Sequence, residues 1–427
     1  MQEFPVYKTT QFENGLTVST CEMPYMNSVC VGLWVGVGSR YEPTEISGAT
    51  HFIEHMLFKG TKSRSAFDIS SEIESIGGHI NAWTSEETTC FHTTASAKHF
   101  KTLLAVLMDM FHFSLFSESD IDKEREVIKE EISMYRDQPS QYVEDLLNEA
   151  MWDNHPLGKP ITGTEETVDN LTRNILIDFK HKNYNASNTY LAVAGAISHN
   201  EAVEEVLKYK SYFNTCPSPV FTPAISLQDK PIIKLSTRDI EQANIALGFK
   251  ACSRHSNCRY ALRVLNAIVA ENMSSRLFHL LRDELGLAYN IYSNPTLLED
   301  TGDWTIFAGM DNENIFKTIK IILKELKIFK SEKISEKEIS TAKNYLIGQM
   351  EIALETTENQ MNWIGEQLSG YKHIFSPSEI IESINKVTAD EIKTIANKYI
   401  KPQNATLALV CSLKNEKGLS ELFGTLI

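Results

Sequence analysis

The chain has 427 residues, 42% of them hydrophobic and 23% charged, with a formal net charge of −15. That length exceeds one ordinary core and implies two domains of about 200 residues each. The acidic balance argues against nonspecific nucleic-acid binding and is compatible with basic peptide substrates.

Taken in chain order, Val29 to Val37 reads as a buried strand, and Ser47 to Lys59 follows as a helix. Ser47 is the expected N-cap, no proline interrupts the segment, and Gly60 is a natural stop. The helix carries His51-Phe52-Ile53-Glu54-His55. Residues four apart share a helical face, so His51 and His55 can bind one metal while Glu54 reaches a water beside it. The competing account is an ordinary amphipathic helix with two histidines on its polar face. After a break at Gly77-Gly78, Ile80 to Thr94 is rich in β-branched and aromatic residues and reads as a strand, by itself a hairpin strand of a core sheet.

A hydrolase metal usually keeps three protein ligands and one open position. In Ile121 to Arg136, residues placed at about 100° steps put Val127, Ile128, Ile132, Met134 and Tyr135 on one apolar stripe, with Glu124 and Glu131 in its middle. Carboxylates on a core-facing stripe are costly unless paired or coordinating. Glu131 is therefore the expected third ligand, and Glu124, two turns earlier, the carboxylate that orients a ligand or the water. The alternative is that both carboxylates sit at the rim of the stripe and reach solvent or meet a lysine.

The boundary falls at Cys216-Pro217-Ser218-Pro219 and Pro223, before a strand at Ile232 to Leu235. This divides the chain into 1–215, a linker at 216–230, and 231–427. Both halves run from strand (Val29 to Val37; Ala243 to Lys250) through helices to a late strand (Tyr190 to Val193; Thr406 to Val410), a faint internal duplication. The segment Met273 to Leu281 stands near the place of the metal helix without its paired histidines, so only the first half should bind metal. The fold class is α+β: two duplicated domains, each a mixed or antiparallel sheet packed with helices. No run of about 18 apolar residues and no signal peptide is read in the chain. Seven cysteines without close Cys-x-x-Cys spacing fit reduced thiols and a cytoplasmic location, and nothing nearby completes a metal set for Cys252 and Cys258.

His51, Glu54, His55 and Glu131, together with Gly77 to Thr84, Pro156-Leu157-Gly158 and Arg282 to Tyr289, resemble the pitrilysin/insulinase family of zinc peptidases, the inverzincins. Length and segments resemble its mitochondrial-processing-peptidase-like branch, bacterial homologues included. The resemblance implies one Zn²⁺ per chain on His51, His55 and Glu131, with Glu54 as general base and Glu124 in support. It makes the strand after Gly78 an exposed edge to which substrate adds, with Asn81 and Ala82 against its backbone. It gives Arg282 and Tyr289 roles in substrate binding and in steadying the tetrahedral intermediate. It further implies a four-domain chamber, hence a homodimer or a heterodimer with an inactive homologue, in which Arg282 and Tyr289 complete the partner's site. The expected activity is endopeptidase action on short or unfolded peptides in a bacterial cytoplasm rather than a mitochondrial matrix. A presequence-processing subunit and a non-catalytic structural homologue are the rival functions.

Overall fold

In the computed structural model, which describes residues 5–225 and 228–426, eleven strands sort into two mixed sheets. The first contains β1 (Tyr7–Gln11), β2 (Thr17–Glu22), β3 (Ser28–Val35), β4 (His79–Thr84), β5 (Thr89–Ser96) and β6 (Thr189–Gly195), in the order β1-β2-β6-β3-β5-β4. The second contains β7 (Ile232–Thr237), β8 (Gln242–Lys250), β9 (Ala288–Leu297), β10 (Gly302–Asp311) and β11 (Ala405–Cys411), in the order β7-β11-β8-β10-β9. Set β1 aside and the two orders coincide. The pairing directions coincide as well, since β2 with β6 and β7 with β11 are the parallel pairs and the others are antiparallel.

The helices repeat the correspondence. Between β3 and β4 lie α1 (Ala49–Leu57) and α2 (Ala66–Glu74). Between β5 and β6 lie α3 (Phe100–Phe113), α4 (Glu118–Asp137), α5 (Pro139–Met151), α6 (Glu165–Asn170) and α7 (Arg173–Asn183), and α8 (His199–Leu207) follows β6. Between β8 and β9 stand α9 (Arg259–Val269) and α10 (Arg276–Phe278), the latter running into a π-helical turn, His279–Glu284. Between β10 and β11 stand α11 (Ile315–Ser331), α12 (Glu336–Ala353), α13 (Thr357–Tyr371), α14 (Pro377–Lys386) and α15 (Ala389–Tyr399), with α16 (Leu419–Leu422) after β11. The expected duplication is thus present in the topology. By order, the counterpart of α1 is α9 and not the Met273 to Leu281 segment, and α9 contains no histidine.

The compact units differ from a division at the 216–230 linker. One comprises Met1–Ser133, Lys159–Thr222 and Glu351–Ser378; the other comprises Met134–Gly158, Pro223–Met350 and Glu379–Ile427. The physical reason is that each sheet has two apolar faces to cover. In the first unit, Leu33, Val35 and Phe91 join Phe52, Ile53 and Met56 of α1 in the main core. The opposite face presents Cys21, Cys30, Trp34, Cys90, Tyr190, Ala192 and Ala194, and these pack with Met361, Ile364 and Leu368 of α13. Two-sided burial is why β3 and β6 read as continuous apolar runs rather than alternating ones. In the second unit, the second face of the sheet is covered by Val143, Leu146, Leu147 and Met151 of α5, packed on Ala246, Ala408 and Val410. Helices α5 and α13 hold equivalent places in the two halves and are exchanged between the units.

Seating α13 requires close approach. Trp34 is fully buried and donates its indole N–H to Met361 Sδ at 3.2 Å, and a Cβ on Gly365 would stand 2.0 Å from Trp34 Cε2. Gly365→Ala is expected to destabilise the protein by about 1–3 kcal/mol through overpacking. Gly348→Ala, in a helix with open space around the new Cβ, is expected to stabilise by about 0.5–1 kcal/mol. Urea denaturation midpoints of the two variants check both signs.

Candidate metal centre

Helix α1 starts differently from its sequence reading. Ser47 makes no capping bond; the N-cap is Gly48 at φ +95, and the cap is supplied from a distance by Glu42. That buried carboxyl accepts the Gly48 N–H at 2.7 Å and the Thr50 N–H at 2.6 Å, and burial pushes it up to about 7 against these hydrogen bonds. Gly60, at φ +112, turns the chain away after the helix as expected. With Ala49, Phe52, Ile53, Met56 and Leu57 in the core, His51 is buried and Glu54 and His55 are half-buried on an adjoining stripe.

Helix α4 lies opposite. Ile121, Glu124, Ile128 and Ile132 are its buried residues, a narrower stripe than expected, and Val127 and Met134 are each 48% exposed. Glu131, half-buried, turns its Oε2 toward both histidines, 3.7 Å from His51 Nε2 and 3.7 Å from His55 Nε2. Among the described residues, His51, His55 and Glu131 form the group whose ligand atoms all lie within 4.8 Å of one another.

The donor set fits a divalent metal. Ligands held tetrahedrally at about 2.0–2.2 Å are separated by about 3.4 Å, and the two nitrogen-to-oxygen separations of 3.7 Å are close to that edge while too long for hydrogen bonds. Burial, with the neighbouring His55, pushes His51 down to about 3, so its imidazole is held neutral, the form that ligates.

The surrounding groups orient this set. His55 Nδ1 donates to Glu124 Oε2 at 3.1 Å, which leaves Nε2 with a lone pair facing Glu131. Lys59 Nζ meets the other Glu124 oxygen at 2.6 Å. Burial raises the Glu124 carboxyl, but hydrogen bonds from His55 and Lys59 outweigh it and hold the group below the usual carboxylate range. Glu54 shifts the opposite way: burial raises its carboxyl even though Thr84 donates to its Oε2 at 2.5 Å. A carboxylate moved toward neutrality is better suited to exchanging protons at physiological pH.

Thr84 ends β4, and β4 is the edge of the first sheet. The expected single strand from Ile80 to Thr94 is a hairpin, β4 and β5, turning at residues 85–88. Among the described residues β4 pairs with β5 alone. Asn81 is exposed and its Oδ1 accepts the Ala82 N–H at 2.9 Å. The hairpin turn is pinned from behind by Ser39 N–H to Ser85 O at 3.1 Å and Arg40 N–H to Glu86 O at 2.8 Å. A buried ion pair, Arg40 to Glu87 at 2.6 Å, completes the clamp. Gly38 permits it, since a Cβ there would stand 2.1 Å from Ser85 O.

Arg282 and Tyr289 belong to the second unit, outside the cluster. Arg282 lies in the π-helical turn with its guanidinium 4.8 Å from the Phe278 ring centroid, and Tyr289, on edge strand β9, is 74% exposed. Sequence reasoning assigned no role to Glu42, Lys59 or Thr84. Lys59 carried a signal, standing four residues beyond His55 on the same face.

The histidine pair and distal carboxylate beside an edge strand make a candidate metal site in an α+β unit. Residues 17–165 match the family model "Insulinase (Peptidase family M16)" and residues 170–346 match "Peptidase M16 inactive domain". The chain belongs to peptidase family M16, the insulinase family. An uncharacterized zinc protease of Rickettsia bellii is 35% identical over 405 residues, covering 95% of this chain and 97% of its own. One from Bacillus subtilis is 35% identical over 402 residues, covering 93% and 96%. The fold matches a protease from Helicobacter pylori with a TM-score of 0.89 at 22% identity, covering 96% of this chain and 100% of that one.

Zinc at about 100 times its Kd is expected to stabilise the protein by about 2.7 kcal/mol, and Glu131→Ala to abolish that gain, read from denaturation midpoints with and without the metal. Glu124→Gln is expected to weaken zinc binding by about 10–100-fold, read by competition with a chromophoric chelator.

Proposed function

We propose that this peptidase is a zinc-dependent endopeptidase that cleaves short or unfolded peptides laid along β4, with one zinc per chain held by His51, His55 and Glu131. The observation that carries the reading is the convergence of both Nε2 atoms on Glu131 Oε2 at 3.7 Å, with Glu54 tied by Thr84 to the edge strand. A zinc ion held there supplies Lewis acidity, polarising a carbonyl and acidifying water.

Glu54 accepts the proton of the attacking water and returns it to the departing amine; its raised pKa suits both transfers. Glu124 holds the His55 ring by Nδ1, and Lys59 keeps Glu124 ionised. The edge of β4 pairs with an extended peptide through main-chain hydrogen bonds, Asn81 and Ala82 facing the substrate backbone. Main-chain pairing favours extended chains over folded ones and tolerates varied side chains, so arginine-rich and neutral peptides of equal length should be cleaved at comparable rates.

The working assembly is a homodimer, each copy lending Arg282 and Tyr289 to its partner's site as donors to a developing oxyanion or substrate carbonyl. The exposure of Tyr289, 74%, supports its availability to a second molecule. A cytoplasmic location is supported by seven free cysteines.

Glu54→Gln is expected to retain zinc at the wild-type level while kcat falls about 10²–10⁴-fold; equal turnover by the variant overturns the assignment. Co-refolding Glu54→Gln with Tyr289→Phe is expected to regenerate intact sites at about a quarter of the total, because half of the dimers are mixed and each carries one complete site. If the mixture is no more active than its components, Tyr289 does not act across subunits.

A further inference from the structure

Outside the candidate metal centre, a group of reactive side chains lies in the second unit, where the loop from β8 to α9 meets the end of α15. Cys252 belongs to the core of this unit and Cys258 packs against that core, the two close enough for each to shift the other's protonation. Cys258 Sγ also stands 3.1 Å from Ser256 Oγ and 3.5 Å from the Tyr399 hydroxyl. Cys252 is only 6% exposed, whereas Cys258 is half-buried, at the N-cap of the eleven-residue α9. Cys258 is thus the more exposed of the two residues.

We propose that Cys252 and Cys258 form a reversible dithiol/disulfide site that reacts with hydroperoxides, Cys258 as the attacking sulfur and Cys252 as the resolving one. The geometry supplies what such a pair needs. A thiolate on Cys258 is met by two hydroxyl donors, Ser256 and Tyr399, and by the positive end of α9. Its thiol lies below the ordinary range chiefly because of the neighbouring Cys252, with Ser256, Tyr399 and the Lys398 charge outweighing burial; Cys252 is correspondingly raised. The cysteines of the first sheet contrast with this pair: burial pushes Cys21 and Cys30 up to about 12, so they stay protonated and inert.

The chemistry balances. Cys258 thiolate attacks one oxygen of hydrogen peroxide, the O–O bond breaks, hydroxide leaves and Cys258 becomes a sulfenic acid. Cys252 sulfur then attacks Cys258 Sγ, the S–O bond breaks, and the thiol proton leaves with the oxygen as water. Two thiols are oxidised by two electrons and one peroxide is reduced to two waters. A dithiol reductant reverses the step by exchange.

The test treats the full chain with hydrogen peroxide near neutral pH, quenches it, and counts thiols after denaturation. The expected count falls from seven to five and returns to seven with dithiothreitol. Trypsin cuts after Lys250, Arg254 and Arg259, so the bridge joins peptides 251–254 and 255–259, a linked pair that mass spectrometry identifies directly. Cys258→Ser is expected to slow the first thiol loss at least roughly tenfold. Cys252→Ser is expected to leave a sulfenic acid on Cys258 that dimedone traps. A count that stays at seven, a bridge mapping to other cysteines, or Cys258→Ser reacting as fast as wild type overturns the proposal. Because these readouts count thiols and not turnover, they stand or fall separately from the peptidase reading.

Discussion

The first unit is organised around a cost: two imidazoles and two carboxylates are brought together on the inner sides of α1 and α4, where apolar neighbours leave little water to solvate them. Each polar group is reconciled with that setting differently. His55 and Glu124 satisfy one another at 3.1 Å, and Lys59 neutralises what remains of the Glu124 charge at 2.6 Å. His51 stays neutral, and Glu131 faces both histidines without hydrogen-bonding to either. That arrangement suits a cation better than a proton, because one positive centre could serve two neutral nitrogens and an oxygen at once. The clamp on the hairpin turn and the Glu42 cap then fix the two elements, β4 and α1, that the Thr84–Glu54 hydrogen bond joins.

Much of this was legible in the chain because it obeys helical periodicity. The i, i+4 histidines, and the Glu124 and Glu131 pair two turns apart, are local patterns that survive without knowledge of the fold. What escaped the sequence is long-range. Glu42 caps α1 across an intervening 3₁₀ turn, so the nearer Ser47 looked like the cap, and Thr84 meets Glu54 only because the hairpin folds back beside α1. Val127 and Met134 were placed on the α4 stripe by angle, but the buried contact is narrower and leaves both in solvent.

The two halves also show what duplication preserves and what it lets go. Strand order, pairing direction and the sequence of helices are kept, since each sheet still needs both faces covered. The histidine pair of α1 is absent from α9, whose inward face is instead Leu262, Val264, Leu265 and Ile268. Where the first copy carries the histidine pair, the second has plain core, and it keeps an edge strand, β9, and an exposed Tyr289. The family models divide the chain in the same sense, describing the later segment as an inactive domain.

The exchange of α5 and α13 bears on the order in which the protein is made. When β6 has left the ribosome the first sheet has all its strands, yet the helix that covers its second face ends only at Tyr371. At about 5–20 residues per second the nascent chain waits roughly 10 to 30 s with that face unfinished. During that interval Trp34, Tyr190 and the alanines of β6 lack the helix that buries them in the finished fold, so the second face of the sheet is completed late in synthesis.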